Sequence, residues 1–594
     1  MKKSTKDRNF QIINGVVALA ALLIRLIAGF QLLRGDGRVA TPPEVTDMWT
    51  YLHLSREILS GEVPRVFYYQ PFYYSVFLPI VRFFSRDSMV PVIIAQSLCG
   101  AAAVYLAGLL AARIAGKKAG LIAAVFLALS QICIVYTPYA LLEIMQSFWL
   151  ILLLYLVFLA WSKNKLWQWL SVGVVLSFAI LSRGNAWIFL PAIFLAVWFA
   201  SRKKEHRKRF TAIVCGVILL GTILPQLPFI IVNSVECGSL QGPSTAGGNV
   251  LALGNSPEAA PGGLFYPESY QLWMDKEKEV SIARRMFDWA KEEPFAFLEL
   301  QFRKVYLFWD HREIPNNISP DKAMEVSPIL KGLRFIPTGI IMIAALFCIF
   351  ISLRKIFKGK EHLLIAVLFV LLYCLAMAAF YNLARFRVPC VPLMCVLAGC
   401  GVFFLCKCFR PQEDRPKRIF IALFTLLISW FIVYPGYDSY REYYEPILMK
   451  TFRPNGVNVP TRKGGRLIYD NGPRMLGGWI PFSTPQIHKQ FKLKEEIAPG
   501  TPVMLSIAVV CDGERPVIGI NGVGIDLSAV KKRSIETINL SATYPENGIF
   551  YFAFTENVYP VLDTQRSYGR TYDQNGIAMK EEMVVSLITN GPEK

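Results

Sequence analysis

Five ionisable residues stand at the ends of long apolar segments or in the loops between them. They are two carboxylates, Asp47 and Glu143, and three arginines, Arg183, Arg385 and Arg387. A carboxylate can take the proton of a hydroxyl group, and a planar, permanently charged guanidinium suits the oxygens of a phosphate. Charged side chains next to membrane spans are costly, which makes them functional candidates. Together these residue types predict attack by a hydroxyl on a centre whose leaving group is a phosphate.

The composition predicts that these residues are carried by a polytopic α-helical membrane protein. The chain has 594 residues, a mean hydropathy of +0.39, 54% hydrophobic residues and 18% charged residues. A single soluble core stops growing near about 250–300 residues, whereas lipid accepts apolar side chains. About eleven apolar segments are long enough to be candidate spans. They lie at about 10–33, 89–112, 119–136, 140–161, 166–182, 185–200, 210–233, 333–353, 363–381, 388–406 and 419–435.

The basic clusters predict the orientation. With eleven spans, clusters such as "SRKKEHRKR" (201–209) and "RKIFKGKEH" (354–362) all fall on one side, which the positive-inside rule makes the cytoplasm. The N-terminus is then cytoplasmic, and the loops 34–88 and 234–332 and the C-terminal tail are extracytoplasmic. The net charge of +20 is explained by these clusters, so no nucleic-acid partner is expected.

The chain divides by composition into three parts. Residues 1–437 are predicted to form the transmembrane catalytic domain, residues 438–475 a linker, and residues 476–594 an extracytoplasmic β-rich domain. In the last part, "VMLSIAVV", "VIGINGVGIDL" and "GIFYFAF" are bounded by Gly, Pro, Asp and Asn, which is typical of strands and turns. We expect a β-sandwich, in which Tyr551 and Phe552 are core residues.

The first outer loop is predicted to contain an interfacial helix. In "TDMWTYLHLSREILSGE", Asp47, Tyr51 and Leu54 share a helical face by their i, i+4, i+7 spacing. Asp47 is also suited to be the N-cap of this helix, and that role does not exclude catalysis.

Several motifs, in this order along the chain, resemble those of the GT-C membrane glycosyltransferases. They are "TDMWTYLHLSREI", "YYQPFYYSVFLPI", "YTPYALLEIMQSFWL", "GPSTAGGNVLALGNSPEAAPGG", "VYLFWDHREIPNN" and "ARFRVPCVPL". The nearest branch is glycosyltransferase family 39, which includes protein O-mannosyltransferases and aminoarabinose transferases. The resemblance covers most of residues 10–405 and implies an inverting transfer from a polyprenyl-phosphate sugar to an acceptor hydroxyl.

The resemblance also assigns roles to residues. It implies that Asp47 is the general base, with Glu143 as a second catalytic acid, and that Arg385 or Arg387 binds the lipid phosphate. The other substrate-binding residues that it implies are Tyr51, Arg183, Asn249, Asn255 and Glu313. Met48 stands where the family usually has a second acid. No cofactor is therefore expected, and a divalent metal, although possible, is not supported.

The expected partners are the membrane, a polyprenyl-monophosphate-linked sugar and an extracytoplasmic glycan, lipid or protein acceptor. The expected location is a bacterial plasma membrane. Two alternatives stay open at this point. One is a polytopic transporter or flippase of a glycolipid or cell-envelope precursor, which would also have many spans and few charges. The other is a glycan-binding or sensor protein that uses the β-rich tail.

Overall fold

The computed structural model of the chain describes fourteen ranges of residues, which form two compact units. The helical unit consists of the described residues of Met1–Gly247, Phe308–Met377 and Asn382–Tyr434, and the second unit consists of those of Gly248–Leu307, Ala378–Tyr381 and Pro435–Lys594. The described ranges are 5–85, 87–264, 266–275, 280–332, 335–353, 360–411, 415–444, 447–448, 458–461, 464–470, 479–491, 493, 496–563 and 570–589.

Most of the described chain before residue 440 is α-helical. The first twelve α-helices are α1 (Thr5–Gly35), α2 (Gly37–Ala40), α3 (Asp47–Leu59), α4 (Leu78–Arg82), α5 (Val90–Ala115), α6 (Lys117–Ala128), α7 (Gln131–Tyr136), α8 (Glu143–Lys163), α9 (Leu166–Ser182), α10 (Leu190–Ala200), α11 (Arg207–Ile223) and α12 (Leu227–Cys237). The next twelve are α13 (Gly247–Asn255), α14 (Glu268–Asp275), α15 (Ile282–Glu292), α16 (Pro294–Phe308), α17 (Pro320–Val326), α18 (Pro328–Gly332), α19 (Thr338–Ser352), α20 (Glu361–Ala378), α21 (Ala384–Arg387), α22 (Val391–Cys408), α23 (Arg415–Val433) and α24 (Gly436–Ser439).

Short segments of other helix types join some of these helices. Turns of π-helix occur at Phe72–Phe77 and Tyr440–Tyr444, and 3₁₀ segments occur at Gly184–Phe189, Leu224–Gln226 and Val388–Cys390. The last of these joins α21 to α22 and contains Pro389, whose missing N–H is tolerated in the first turn of a helix.

The structure confirms the predicted fold class, a polytopic α-helical membrane protein with a C-terminal β-rich part. In the described ranges, seven helical segments are long and apolar enough to cross a membrane: Asp7–Gly35, Val90–Ala115, Glu143–Lys163, Arg207–Cys237, Glu361–Ala378, Ala384–Cys408 and Arg415–Val433. Three shorter apolar helical segments are Leu166–Ser182, Gly184–Ala200 and Thr338–Ser352. The predicted number of about eleven spans is therefore not confirmed. The predicted span 119–136 divides into the separate helices α6 and α7.

The segment Ala384–Cys408 has the largest buried share of the seven, at 78%. Its helix α22 packs closely against α6 at Gly399, where a Cβ atom would lie only 2.5 Å from the carbonyl oxygen of Ala119. A larger side chain at this position would push the two helices apart. The arginines Arg385 and Arg387 therefore precede a helix that is fixed in the interior of the helical unit.

The second unit contains thirteen described strands in two antiparallel sheets. The first sheet has the order β1-β2-β13-β5-β10-β12, with β3 on β10 and β8 on β5, and the second has the order β11-β4-β9-β6-β7. The strands are β1 (Val459–Pro460), β2 (Arg466–Asp470), β3 (Trp479–Pro481), β4 (Gln486–Gln490), β5 (Pro502–Cys511), β6 (Val517–Ile520), β7 (Val523–Asp526), β8 (Ile535–Thr543), β9 (Ile549–Phe554), β10 (Val558–Asp563), β11 (Thr571–Tyr572), β12 (Glu582–Met583) and β13 (Val585–Thr589).

The two sheets share one hydrophobic core, so the predicted β-sandwich is confirmed. Leu505 and Val585 of the first sheet and Phe550 and Phe552 of the second are fully buried in the same cluster. Side chains alternate along a strand, which places Tyr551 on the opposite face, 38% exposed. The expectation that Tyr551 and Phe552 are both core residues is thus right for Phe552 and wrong for Tyr551.

The predicted domain boundaries stay predictions. Strand β2 lies in the range 438–475 that was predicted to be a linker, and it pairs with β13. Parts of that range, including 449–457 and 471–475, lie outside the described residues.

Candidate functional site

Asp47 is the first residue of α3, and the preceding residue, Thr46, is the N-cap. The Thr46 hydroxyl accepts a hydrogen bond from the Trp49 N–H at 3.4 Å, which satisfies one of the free N–H groups of the first turn. The alternative role of Asp47 as N-cap is therefore wrong. Because Thr46 performs the capping, the Asp47 carboxylate is available for other contacts.

Those contacts are with Arg385 and Asn317. The Asp47 carboxylate forms an ion pair with the Arg385 guanidinium, and Asn317 Nδ2 donates to the same oxygen, Oδ2, at 3.1 Å. The Asp47 side chain is 27% exposed and the Arg385 side chain 11%. Asp47 is thus held by neighbours on one side and stays accessible on another.

Glu143, the first residue of α8, lies between two guanidinium groups. Arg183 Nη2 donates to Glu143 Oε1 at 2.9 Å, and Arg385 Nε lies 4.0 Å from the same oxygen. The Glu143 side chain is only 1% exposed, and Arg183 also packs over the Phe386 ring, 4.5 Å from its centroid. We call Asp47, Glu143, Arg183, Arg385 and Asn317 the carboxylate–arginine cluster. Its four charges balance, and Arg385 links the two carboxylates.

The charges around Asp47 determine its ionisation. Burial by itself would raise the pKa of this carboxyl, but the Arg385 charge, the hydrogen bonds from Arg385 and Asn317, and the Arg183 charge together hold the pKa below its ordinary value. Asp47 is therefore a carboxylate at neutral pH, the form that can accept a proton.

Tyr51 lies one turn after Asp47 on α3, in an aromatic cluster. Its ring stacks parallel to that of Tyr74 at 6.3 Å and meets the edge of Tyr73 at 5.5 Å and of Tyr69 at 6.0 Å. Burial first, and then the Asp47 charge, raise the pKa of Tyr51 well above its ordinary value. Tyr51 is thus a neutral phenol within this aromatic cluster, and its implied substrate-binding role stays a prediction.

The position of Glu143 is set by the backbone that precedes α8. Gln96 of α5 donates two hydrogen bonds from Nε2, to the carbonyls of Thr137 and Tyr139, both at 2.8 Å. Its Oε1 accepts one from the Tyr73 hydroxyl at 3.2 Å. Gln96 is fully buried, and it ties the segment before Glu143 to the aromatic cluster beneath Asp47.

Arg387 has different surroundings from Arg385. Its Nη1 donates to the carbonyls of Phe308 and Asp310, and its Nη2 donates to the carbonyl of Arg312 at 2.6 Å and to Glu313 Oε2 at 2.7 Å. We call this set the Arg387 clamp. Arg387 is 5% exposed and binds three carbonyls and a carboxylate of its own chain, so it fixes the segment 308–313; its implied phosphate-binding role stays a prediction. Glu313 is a partner of Arg387, and its implied substrate-binding role also stays a prediction.

Asn249 and Asn255, which the resemblance implied as substrate-binding residues, belong to the second unit. Asn249 Oδ1 accepts a hydrogen bond from the Tyr270 hydroxyl at 2.8 Å. Asn255 is 2% exposed, and its Oδ1 accepts hydrogen bonds from Lys304 Nζ at 2.9 Å and Gln301 Nε2 at 3.0 Å. These contacts hold the second unit together, and the substrate-binding roles of both residues stay predictions.

The sequence analysis missed Asn317 and Gln96. Asn317 ends the quoted segment "VYLFWDHREIPNN", so the motif contained it, but an asparagine gives no signal of its partner 270 positions away. Gln96 is a polar residue inside an apolar span, which is a recognisable signal because a buried amide must find partners.

Within the described ranges, no group of three or more His, Cys, Asp or Glu side chains is placed to hold a metal ion. The expectation that no cofactor is needed stays a prediction.

Comparison with known proteins finds a family match over part of the chain. Residues 70–229 match the model of the family described as dolichyl-phosphate-mannose-protein mannosyltransferase. Over this range, the match agrees with the resemblance to the GT-C membrane glycosyltransferases. The matched range contains Glu143 and Arg183, whereas Asp47 and Arg385 lie outside it.

A comparison with curated proteins finds no match. Among solved structures, the chain is similar to the oligosaccharyltransferase AglB of Archaeoglobus fulgidus in complex with an inhibitory peptide and a dolichol-phosphate, with 16% identity and a TM-score of 0.41 over 75% of this chain and 59% of that one. It is similar to ArnT of Cupriavidus metallidurans bound to undecaprenyl phosphate, with 15% identity and a TM-score of 0.37 over 70% and 62% of the two chains. It is also similar to the arabinosyltransferase EmbB of Mycobacterium smegmatis, with 10% identity and a TM-score of 0.35 over 95% and 64%. The chain thus spans about six tenths of the length of these proteins.

Proposed function

We propose that this protein is a membrane glycosyltransferase that moves a sugar from a polyprenyl-phosphate donor to a hydroxyl of an extracytoplasmic acceptor, with inversion at the anomeric carbon. The observation that carries the proposal is the ion pair between the partly exposed Asp47 and Arg385, next to Glu143 and Arg183. The family match over residues 70–229 supports it, because that family is named for a lipid-phosphate-linked sugar.

Asp47 is the general base of the proposed step. The acceptor hydroxyl gives its proton to the Asp47 carboxylate while its oxygen bonds to the anomeric carbon of the sugar. The bond from that carbon to the phosphate oxygen breaks, and the electron pair leaves with the polyprenyl phosphate. An arginine next to the leaving oxygen stabilises the charge that develops on it.

Arg385 is the residue we assign to that phosphate, and it couples donor binding to the strength of the base. In the structure Arg385 pairs with Asp47, which lowers the pKa of the carboxyl. A donor phosphate competes for the same guanidinium. When Arg385 turns towards the phosphate, the effect of burial on the Asp47 carboxyl outweighs the attraction of the remaining cation, Arg183. The pKa of Asp47 then rises, so Asp47 is a stronger base when the donor is in place.

Glu143 and Arg183 position Arg385 in this proposal. Glu143 is almost completely buried, so its carboxylate holds the two guanidinium groups and does not reach a substrate. Arg183, 13% exposed, is close enough to Arg385 to share the phosphate. We therefore assign the donor phosphate to Arg385 and Arg183, and not to Arg387.

The location is part of the proposal. We infer a bacterial plasma membrane, with the N-terminus in the cytoplasm and the C-terminal β-rich part outside, from the side on which the basic clusters fall.

The test uses the substitution Asp47→Asn in the full-length protein, because this change keeps the shape and removes the base. A strain without the protein accumulates the unused sugar donor, so its lipid extract supplies the substrate whichever sugar the donor carries. The purified protein in detergent, together with an envelope fraction as acceptor, should release polyprenyl phosphate from that extract, detected by mass spectrometry. We expect Asp47→Asn to reduce the release about 10²–10⁴-fold.

The matched control is Asp87→Asn, which removes an exposed carboxylate paired with Arg56 in the same loop. This variant should keep full activity and melt at the temperature of the unchanged protein. The Asp47→Asn variant, which loses the ion pair with Arg385, should melt at a lower temperature but remain folded under the assay conditions. Full release by the Asp47→Asn variant would falsify the assignment of the base. A transporter or flippase cannot produce polyprenyl phosphate in detergent micelles, so the absence of release by the unchanged protein would favour that alternative.

A further inference from the structure

The β-sandwich has an open cleft on the outer face of its second sheet. The cleft has a volume of about 680 Å³. It lies between the β6–β7 hairpin and the loop from β8 to β9, and it is lined mainly by Asn521, Thr543, Tyr544, Glu546, Asn547 and Tyr551.

Two tight turns build the walls of this cleft. Asn521 and Gly522 form the two-residue β6–β7 turn with φ of 49° and 87°, the positive values that a type I′ turn requires. The Asn521 N–H donates to the Tyr551 carbonyl, and the Tyr551 N–H donates to Asn521 Oδ1, both at 2.9 Å. On the other side, the Gly548 N–H closes a turn on the Pro545 carbonyl at 3.1 Å. The cleft is therefore preformed by backbone hydrogen bonds.

Tyr551 gives this cleft an aromatic surface that the fold does not need for its core. Its neighbours on β9, Phe550 and Phe552, are fully buried, whereas Tyr551 is 38% exposed. The ring is held by the edge of the His488 ring, with centroids 4.6 Å apart, and its hydroxyl accepts a weak hydrogen bond from Asn547 Nδ2 at 3.4 Å. An ordered ring with an open face can stack on an apolar face of a ligand at a small cost in side-chain entropy.

The polar groups around the ring select the ligand. The side chains of Asn521, Asn547 and Thr543 offer amide and hydroxyl groups, which both donate and accept hydrogen bonds. Glu546 is the charged residue of the lining, and the described lining contains no lysine or arginine. A phosphate or an acidic polymer lacks a cation here, whereas a sugar ring presents C–H groups to an aromatic face and hydroxyls to amides.

We propose that this cleft binds a neutral glycan, with Tyr551 as the stacking surface and Asn521 and Asn547 as its hydrogen-bonding partners. The proposal goes beyond the transfer reaction. It does not require turnover, because the cleft is formed entirely by residues of the second unit.

The experiment measures binding of defined neutral oligosaccharides to the full-length protein in lipid nanodiscs. Nanodiscs avoid maltoside and glucoside detergents, whose headgroups would compete. The probes are hexasaccharides of glucose, mannose, galactose and N-acetylglucosamine, with an oligogalacturonate as the acidic counterpart, and the readout is isothermal titration calorimetry. We expect at least one neutral hexasaccharide to bind and the oligogalacturonate not to bind.

Variants locate the binding. Tyr551→Ala should weaken it about tenfold or more, because truncation of a central aromatic contact has an effect of this size. Tyr551→Phe keeps the ring and should retain most of the affinity. The control Ile577→Ala truncates another exposed side chain of the second unit, 65% exposed and outside the cleft lining, and should bind as the unchanged protein does.

The Asp47→Asn variant should also bind normally, which separates this proposal from the proposed transfer. Absence of binding to every neutral probe, or equal affinity of the Tyr551→Ala variant, would overturn the glycan site and leave the transfer reaction untouched. Tighter binding of the acidic probe would also overturn it.

Discussion

The short helix α21 contributes one arginine to each of two charge clusters. The two guanidinium groups differ in their partners and in the exposure of those partners. Arg387 is itself 5% exposed, and it binds three carbonyls and Glu313, whose side chain is 21% exposed. Arg385 joins two carboxylates that belong to different elements, and one of these, Asp47, is 27% exposed. In the proposed function, the Arg387 clamp is structural, whereas the carboxylate–arginine cluster exchanges a partner with the donor phosphate.

The difference follows from helical geometry. Residues at i and i+2 on a helix lie on nearly opposite faces, so Arg385 and Arg387 meet different neighbours. A buried charge is therefore weak support for function by itself. In our proposal, Arg385 differs from Arg387 in two respects. It lies next to a partly exposed carboxylate, and the donor phosphate can replace that carboxylate as its partner.

Of the substitutions that test this comparison, Arg385→Ala should have the largest effect on the transfer reaction. Loss of a group that stabilises a developing charge reduces kcat/KM by about 10²–10³-fold. The same variant should bind undecaprenyl phosphate, the product lipid, more weakly in a native mass spectrometry titration. The matched control is Arg202→Ala, which removes an exposed arginine paired with Glu361 in the same unit. Equal effects of the two substitutions would remove the distinction that we draw for Arg385.

Arg387→Ala should act on the fold instead. It leaves Glu313 and three carbonyls without their donor, and breaking a buried ion pair costs about 3–5 kcal/mol. We expect a lower melting temperature in detergent, together with a loss of activity that follows the loss of folded protein. If the variant melts normally but no longer binds undecaprenyl phosphate, then Arg387 contacts the phosphate and the comparison fails.

Glu313→Gln is a milder version of the same test. The amide keeps an acceptor for Arg387 but loses the charge, so the stability should fall by about 1 kcal/mol, the scale of one hydrogen bond. Thermal melting measures this loss of stability. The protein that remains folded should transfer sugar at the normal rate. A reduced rate with unchanged stability would assign Glu313 to the substrate.

The smallest expected effect is on the pH profile. Because the pKa of Asp47 in the free protein lies below its ordinary value of about 3.9, kcat/KM should persist as the pH falls and be lost only through that lowered pKa. The stability gained from the Asp47–Arg385 pair is present above the pKa of the unfolded chain and is lost over the same acidic range.

In the Arg385→Ala variant, burial is no longer opposed by the nearest cation. The acid limb of its residual activity should therefore lie at a higher pH than that of the unchanged protein. An unchanged acid limb would mean that Arg385 does not control the ionisation of Asp47.

Much of the architecture was predictable because it depends on local patterns. Long apolar segments identify the helices, and the i, i+4 spacing of Asp47 and Tyr51 identifies α3. The alternation in "GIFYFAF" identifies β9, although it could not show which side faces the core, and Tyr551 was assigned to the wrong face. The division of 119–136 into α6 and α7 was missed because hydropathy does not reveal a break between two apolar helices.

The sequence alone determined the kinds of charge in the candidate site and their order along the chain. Only the tertiary structure decided the partners: Thr46 as the cap that frees Asp47, Asn317 as its second neighbour, Arg385 beside the carboxylates and Arg387 in the clamp. An ion pair depends on distances between atoms that are far apart in sequence, and those distances exist only after the helices have packed.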